Sequence, residues 1–268
     1  MTLSLAIAGA AGRMGRALAR AAADSPDFRV VAGTEAAGAT SLGGDLGVLA
    51  GLGPIGAAVM DDARAAASAA DAWIDFTRPD ATLSALHALK NTPVRVAVIG
   101  TTGFDAHGEA AIAEAAQSLA IVKSGNFSLG VNLLAALTRM AAERLGPEWD
   151  IEIVEAHHRR KIDAPSGTAL LLGEAAAKGR GVDLDDKRLA PRDGETGARP
   201  EGGIGFAVIR GGGIIGEHDV KFASEREVLT LSHLALDRAV FADGALAAVR
   251  WAADKKPGLY SMDDVLGL

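Results

Sequence analysis

The sequence contains no cysteine. That absence excludes a disulfide framework, a cysteine-ligated zinc site and any mechanism built on a thiolate nucleophile, and it fits a reducing compartment. Aromatic residues are scarce at 4%, so large aromatic interfaces are not the basis of packing. Abundant Ala and Gly suit close helix-on-sheet contact instead. Positive charge is in deficit, with 27 Lys and Arg against 34 Asp and Glu and a net charge of -7. General nucleic-acid or anionic-membrane binding needs a basic face, so neither partner is expected. No segment reaches the ~20 apolar residues of a membrane span. The start, MTLSLAIAGAAGRMG, has no basic n-region and interrupts its apolar run with glycine, unlike a signal peptide. The expectation is a soluble cytoplasmic protein. Its 268 residues, 49% hydrophobic, suffice for one large core or two smaller ones.

What is present alternates. Short apolar runs at Leu3–Ala8, Arg29–Glu35, Ala72–Thr77, Val94–Thr102 and Ala120–Gly125 predict strands. Helical patterns at Arg13–Ala23, Asp80–Asn91 and Asp105–Leu119 lie between several of them. Near-continuous apolar strands joined by crossover helices predict a doubly wound parallel sheet of the Rossmann type. The second half predicts an α+β domain: a helix at Asn132–Leu145, a strand at Asp150–His158, a helix at Gly167–Gly179 and a long polar loop at Asp185–Gly203. Strands at Ile204–Arg210, Ile214–Ser224 and Glu227–Leu236 follow. Their short connections, Gly211–Gly213 and Glu225-Arg226, predict antiparallel hairpins in an open, mixed or antiparallel sheet. The domain division is 1–127 plus 239–268 and 128–238, the last helix packing back on the first domain.

Gly9-Ala10-Ala11-Gly12-Arg13-Met14-Gly15 follows the first strand and opens the first helix. Glycines let backbone approach a pyrophosphate whose charge sits on the helix N-terminus. A glycine trio can also be a plain tight turn. Here Glu35, at the end of the second strand and 20 residues beyond Gly15, adds an acceptor for ribose hydroxyls, so dinucleotide binding is preferred. Ala36, Ala37 and Gly38 after it supply no cation for a 2′-phosphate; only Arg13 and Arg16 could help. NADH is therefore expected to bind at least as well as NADPH. A second glycine turn, Gly100-Thr101-Thr102-Gly103, ends the fourth strand, where ligands of such sheets sit.

The run EAHHRRKIDAPSGTAL, Glu155–Leu170, gathers two His, two Arg and a Lys in an acidic protein. In an extended strand His157, Arg159 and Lys161 share one face, and the first and last lie about 13 Å apart. The chain must bend for both to act on one small molecule, and Asp163–Thr168 supplies a bend. Ser166 or Thr168 would cap the next helix, whose free N–H groups welcome a carboxylate. Adjacent His residues on a strand face opposite sides, so no metal site is expected. An anion site with built-in proton donors is preferred over a solvated strand end.

The motifs GAAGRMG at Gly9, DFTRP at Asp75, GTTGF at Gly100, NFSLGVN at Asn126, EAHHRRKIDAPSGTA at Glu155 and GEH at Gly216 resemble the 4-hydroxy-tetrahydrodipicolinate (dihydrodipicolinate) reductase family. The resemblance runs in order over nearly the whole chain. It implies a cytoplasmic homotetramer, acting in the diaminopimelate route to lysine, that uses NADH or NADPH to reduce a heterocyclic dicarboxylate at C4 with loss of water. It implies His157 as acid/base and Lys161 as proton donor. His158, Gly167 and Thr168 would hold substrate, beside Ser166 at the helix start. Gly9, Ala10, Ala11, Gly12, Arg13, Met14, Glu35, Gly100, Thr101, Thr102, Ser124, Gly125, Asn126 and Phe127 would contact the dinucleotide. Many members carry a basic residue directly after the ribose-binding acid; Ala36 stands there, which favours NADH.

Two rival functions are weaker. Short-chain dehydrogenases need Tyr-x-x-x-Lys, but the sole tyrosine, Tyr260, is followed four residues on by Asp264. A non-catalytic NADH-binding sensor would not require His157 and Lys161.

Overall fold

The computed structural model describes residues 2–268. They form two compact units: the described residues up to Leu129 together with Ala239–Leu268, and Gly130–Arg238. The first begins with strand β1 (Leu3–Ala8), helix α1 (Arg13–Ala23) and strand β2 (Phe28–Thr34). Then come α2 (Leu46–Ala50), β3 (Ala58–Met60), α3 (Ala63–Ala67), β4 (Ala72–Asp75), α4 (Pro79–Leu89), β5 (Val96–Ile99), α5 (Ala106–Ala115) and β6 (Ala120–Lys123). β1 pairs in parallel with β2 and β4, β4 with β5, and β5 with β6. All residues of β4 and β5 are buried, because helices cover both faces of the sheet; hence their unbroken apolar sequences. The strand order reverses between β1 and β4, and the Gly9 turn leaves β1 at that switch point, where such sheets bind ligands.

The second unit holds most of α6 (Leu129–Arg144), then β7 (Asp150–His157), α7 (Gly167–Arg180), α8 (Leu184–Lys187), β8 (Ile204–Arg210), β9 (Gly216–Ala223) and β10 (Val228–Ala235). Its sheet runs β10–β9–β7–β8. β9 and β10 form the expected hairpin. β8 and β9 do not: β7 lies between them, parallel to β8 and antiparallel to β9. The three glycines Gly211–Gly213 instead pass around the end of β7, where Gly211 donates its N–H to the His157 carbonyl and Arg159 donates to Gly212. The sheet is therefore mixed.

The chain then returns to the first unit with α9 (Ala239–Ala252), β11 (Gly258–Tyr260) and α10 (Met262–Leu266). α9 buries Ala242, Ala245, Leu246 and Val249 in one core with Leu18 and Ala22 of α1. Each large aliphatic side chain buried there contributes roughly 1.5–3 kcal/mol. Gly244 allows this helix to lie against the Phe127 carbonyl, where a Cβ would collide. β11 adds to β6 in parallel at the sheet edge.

Candidate active site

In the first unit the anion cradle is made of backbone. Gly9 has a φ of +64°, a conformation glycine adopts without strain. Gly12 is the N-cap of α1 and has no side-chain cap, so the first-turn N–H groups of the helix are left for a ligand. A Cβ on Gly15 would stand 2.6 Å from the Ala10 carbonyl oxygen and 2.7 Å from its Cα; only glycine lets the helix start so close to the strand end. The Ala11 N–H donates to Glu35 Oε1 at 2.8 Å, and the Ala11 carbonyl accepts from Arg16 Nε at 2.8 Å. An uncapped helix start, absent Cβ atoms and an adjoining carboxylate fit the pyrophosphate and ribose of NAD(P)H.

The other expected dinucleotide residues divide into two kinds. Thr102 and Gly103 are exposed, and with Thr101, Phe104, Ser124 and Gly125 they line a cavity of about 490 Å³. Thr101 is 4% exposed, and its hydroxyl accepts from Thr82 at 2.9 Å and donates to the buried Asp75 carboxylate at 3.2 Å. Asp75 Oδ1 also accepts the Thr77 hydroxyl at 2.6 Å and N–H at 3.0 Å. These bonds tie the loop after β4 to the loop after β5. The Phe127 ring lies in the core, edge-on to Phe76, which leaves its backbone for a ligand. Ser124 and Asn126 fold into a local turn, the Ser124 hydroxyl donating to the Asn126 carbonyl at 2.7 Å.

The second unit builds its site from charged side chains. Alternation along β7 places Ile151, Ile153, Glu155 and His157 on the buried face. The strand stops at His157, and a turn closed by the Lys161 N–H to the His158 carbonyl follows at once. The extended geometry expected through Lys161 is thus replaced by a bend earlier than Asp163, held by the Arg159 N–H on the Gly212 carbonyl and the Lys161 N–H on the His158 carbonyl. The Ala164–Pro165 peptide is cis.

Glu155 is 1% exposed. Arg210 grips it with two bonds of 2.7 Å, the Ser166 N–H donates to Oε1 at 3.0 Å, and His157 Nδ1 meets Oε2 at 2.6 Å. Burial alone would raise the Glu155 carboxyl; the Arg210 fork, the His157 ring and the Ser166 N–H outweigh it and hold it below the usual carboxylate range. His157 lies edge-on to His218, with ring centroids 5.2 Å apart. Burial first, and then His157, pushes His218 down to about 4. His218 Nε2 contacts the Ser166 hydroxyl at 3.2 Å, and that hydroxyl caps α7 by accepting the Ala169 N–H. With its N–H on Glu155 and its hydroxyl engaged, Ser166 builds the turn, and the exposed Gly167 and half-buried Thr168 head the helix.

Lys161 Nζ pairs with Asp163 at 2.9 Å, which holds the Asp163 carboxyl low. His158 Nε2 meets Arg238 at 2.9 Å; burial, then Arg238 and Arg160, push its pKa down. The structure therefore brings His157, Ser166 and the start of α7 together around Glu155. Glu155, Arg210 and His218 were absent from the sequence-derived set, although Glu155 shares the inward parity of Ile151 and Ile153.

Comparison with known proteins identifies the family. The family models described as "Dihydrodipicolinate reductase, N-terminus" and "Dihydrodipicolinate reductase, C-terminus" match residues 3–127 and 130–266. A 4-hydroxy-tetrahydrodipicolinate reductase of Parvibaculum lavamentivorans is 55% identical over 267 residues, 99% of this chain and 98% of its own. One from Rhizobium meliloti is 53% identical with the same coverage. Among solved structures, a dipicolinate-bound dihydrodipicolinate reductase from Paenisporosarcina sp. TG-14 superposes with a TM-score of 0.79 at 25% identity, covering 98% of this chain and 99% of its own. An amine dehydrogenase from Mycobacterium smegmatis, at 15% identity and a TM-score of 0.68, shares the fold. With both family models matched in order across two units of this architecture, the chain belongs to the dihydrodipicolinate reductase family.

Proposed function

We propose that this protein reduces 4-hydroxy-tetrahydrodipicolinate to tetrahydrodipicolinate with loss of water, in the diaminopimelate route to lysine. The observation that carries the reading is the second unit's cluster: His157 on a buried carboxylate that also takes the Ser166 N–H at the start of α7. Bound NAD(P)H supplies the hydride, delivered to substrate C4. Gly167 and Thr168, at the positive end of the α7 dipole, hold one substrate carboxylate. His158 adds a polar contact. Lys161, steadied by Asp163, gives the proton that leaves with the 4-hydroxyl as water; His157 takes the proton lost from the ring carbon beside C4 in that elimination and returns it there as hydride reaches C4. Ser166 supports these groups from beneath.

In the first unit the residues Gly9 to Met14, Gly100 to Thr102 and Ser124 to Phe127 carry the dinucleotide, with Thr101 and Phe127 acting through their backbone. Glu35 accepts the ribose hydroxyls. NADH is the preferred cofactor, since Glu35 repels a 2′-phosphate and the exposed Ala36 offers no compensating charge. One of the two candidate cations, Arg16, is turned to the Ala11 carbonyl. The working form is a cytoplasmic homotetramer, with residues 128–238 as the substrate-binding and tetramerisation domain. Exposed Ile209, Val228 and Leu234 on the outer face of the second sheet, 51%, 60% and 56% accessible, support association there, and light scattering of the purified protein tests the number of copies. No described helix is long and apolar enough to cross a membrane.

The deciding experiment mixes the purified protein with freshly made synthase product, from pyruvate and aspartate semialdehyde, and follows NADH and NADPH oxidation separately. Rapid oxidation, faster with NADH, is expected. Binding of NADH without oxidation of either cofactor would instead favour a sensor.

A further inference from the structure

The proton-transfer role given to His157 leaves one buried group without a function. The Glu155 carboxylate lies on the apolar face of β7 behind Ile151 and Ile153. A carboxylate there is costly unless its oxygens are met by donors. The Arg210 fork and the Ser166 N–H already meet both oxygens, which suffices for a purely structural anchor. Yet the shortest contact to this carboxylate, 2.6 Å, comes from His157 Nδ1. A ring nitrogen facing a carboxylate carries the hydrogen, which leaves Nε2 as the exchanging atom. That nitrogen lies beside Gly216, where an added Cβ would stand 3.2 Å away, tighter than ordinary contact.

Resting on the reductase reading above, we propose that Glu155 is a positioning residue for His157. It fixes the ring as the Nδ1–H tautomer, so that Nε2 is the atom that exchanges a proton with substrate. Arg210 keeps Glu155 ionised, so that the carboxylate stabilises the imidazolium without taking its proton. When Nε2 releases its proton, the neutral ring keeps the Nδ1 hydrogen on Glu155 and the next cycle begins from the same geometry.

The other charged or titratable groups around the ring leave this role to Glu155. On β8, Arg210 is bound to the same carboxylate. On β9, His218 is neutral near pH 7 through burial, and on β10 His233, opposite His218, is likewise pushed down by burial. On the loop, Lys161 is paired with Asp163, and His158 with Arg238. Glu155 is the one carboxylate in contact with the His157 ring among the described residues.

The test begins with the unmodified protein. Histidine labelled with nitrogen-15, assigned with a His157→Gln variant, reports the tautomer directly; Nδ1–H at neutral pH is expected, and Nε2–H would overturn the proposal. A variant combining Glu155→Gln with Arg210→Leu removes both charges together, which avoids stranding a buried cation. In it His157 is expected to populate the Nε2–H form, while kcat falls roughly hundredfold. NADH affinity is expected to be kept. Unchanged kcat, with His157 still Nδ1–H in the double variant, would overturn the positioning role. If the unmodified protein oxidises no cofactor, the reductase reading falls, while the tautomer in the unmodified protein still decides whether Glu155 sets the ring. Should the double variant not fold, the same measurement decides.

Discussion

The cradle at Gly9–Gly15 and the cluster around Glu155 both prepare a place for negative charge, and they use different materials. In the first unit the donors are backbone N–H groups at an uncapped helix start, and side chains are kept out: Gly15 admits no Cβ. A buried acid nearby, Asp75, is satisfied by neutral hydroxyls and an N–H. In the second unit the backbone contributes the start of α7, and the rest is ionisable side chains held by one another. A backbone cradle is indifferent to pH but intolerant of added volume. A side-chain cluster tolerates volume but depends on the charge state of each member.

That contrast can be tested, and the largest effect should fall on the ionisable side. Lys161→Ala is expected to lower kcat roughly a thousandfold while leaving NADH affinity, read by fluorescence titration, unchanged. If that variant turned over normally, the role given to Lys161 would be wrong.

Acid should find the second unit first. The His218 pKa of about 4 lies below the ordinary 6.5 because the ring is buried. Below pH 6.5 the unfolded chain takes up a proton that the folded one refuses, so stability falls as pH drops from 6.5 through about 4. The full loss is about 3 kcal/mol. Glu155 adds to it below its ordinary range, since its folded pKa is depressed. Urea titrations at pH 7 and pH 4.5 should show the loss, and His218→Gln should flatten the slope in that window.

The converse test adds volume to the first unit. Gly15→Ala is expected to force the Gly9 turn away from α1 and to destabilise by about 2 kcal/mol. Cofactor affinity should fall at least about tenfold, or ~1.4 kcal/mol, at every pH between 5 and 8. A pH-dependent loss would contradict a backbone-built cradle. The smallest effect belongs to Ser166→Ala, which removes the cap of α7 and a partner of His218. It should lower stability by about 1–2 kcal/mol, read as a drop in Tm, with NADH binding intact.

How far the sequence carries also differs between the units. β1, β2, β4, β5 and β6 are visible because burial on both faces demands unbroken apolar runs. β3 and β11, three residues each at the sheet edges, are too short for any periodicity. In the second unit the Gly211–Gly213 connection reads as a hairpin, since nothing local reveals that β7 will pair between β8 and β9. Glu155 could have been found: its parity with Ile151 and Ile153 puts a charge on an apolar face, which requires a partner. Arg210 and His218 lie on the inward parity of β8 and β9, but only the strand order tells that they meet Glu155.

The return of Ala239–Leu268 to the first unit has a consequence for biosynthesis. Residues 130–238 are contiguous and leave the ribosome as a complete set, whereas the dinucleotide unit waits for Ala239–Leu268, at some 5–20 residues per second. Until α9 seats against α1 and Gly244 meets the Phe127 carbonyl, the loop Ser124–Phe127 lacks the α9 side of its support. A nascent chain therefore completes its cofactor unit only after the second unit has been made, and a premature stop after Arg238 would weaken that unit while sparing every residue expected to touch the dinucleotide.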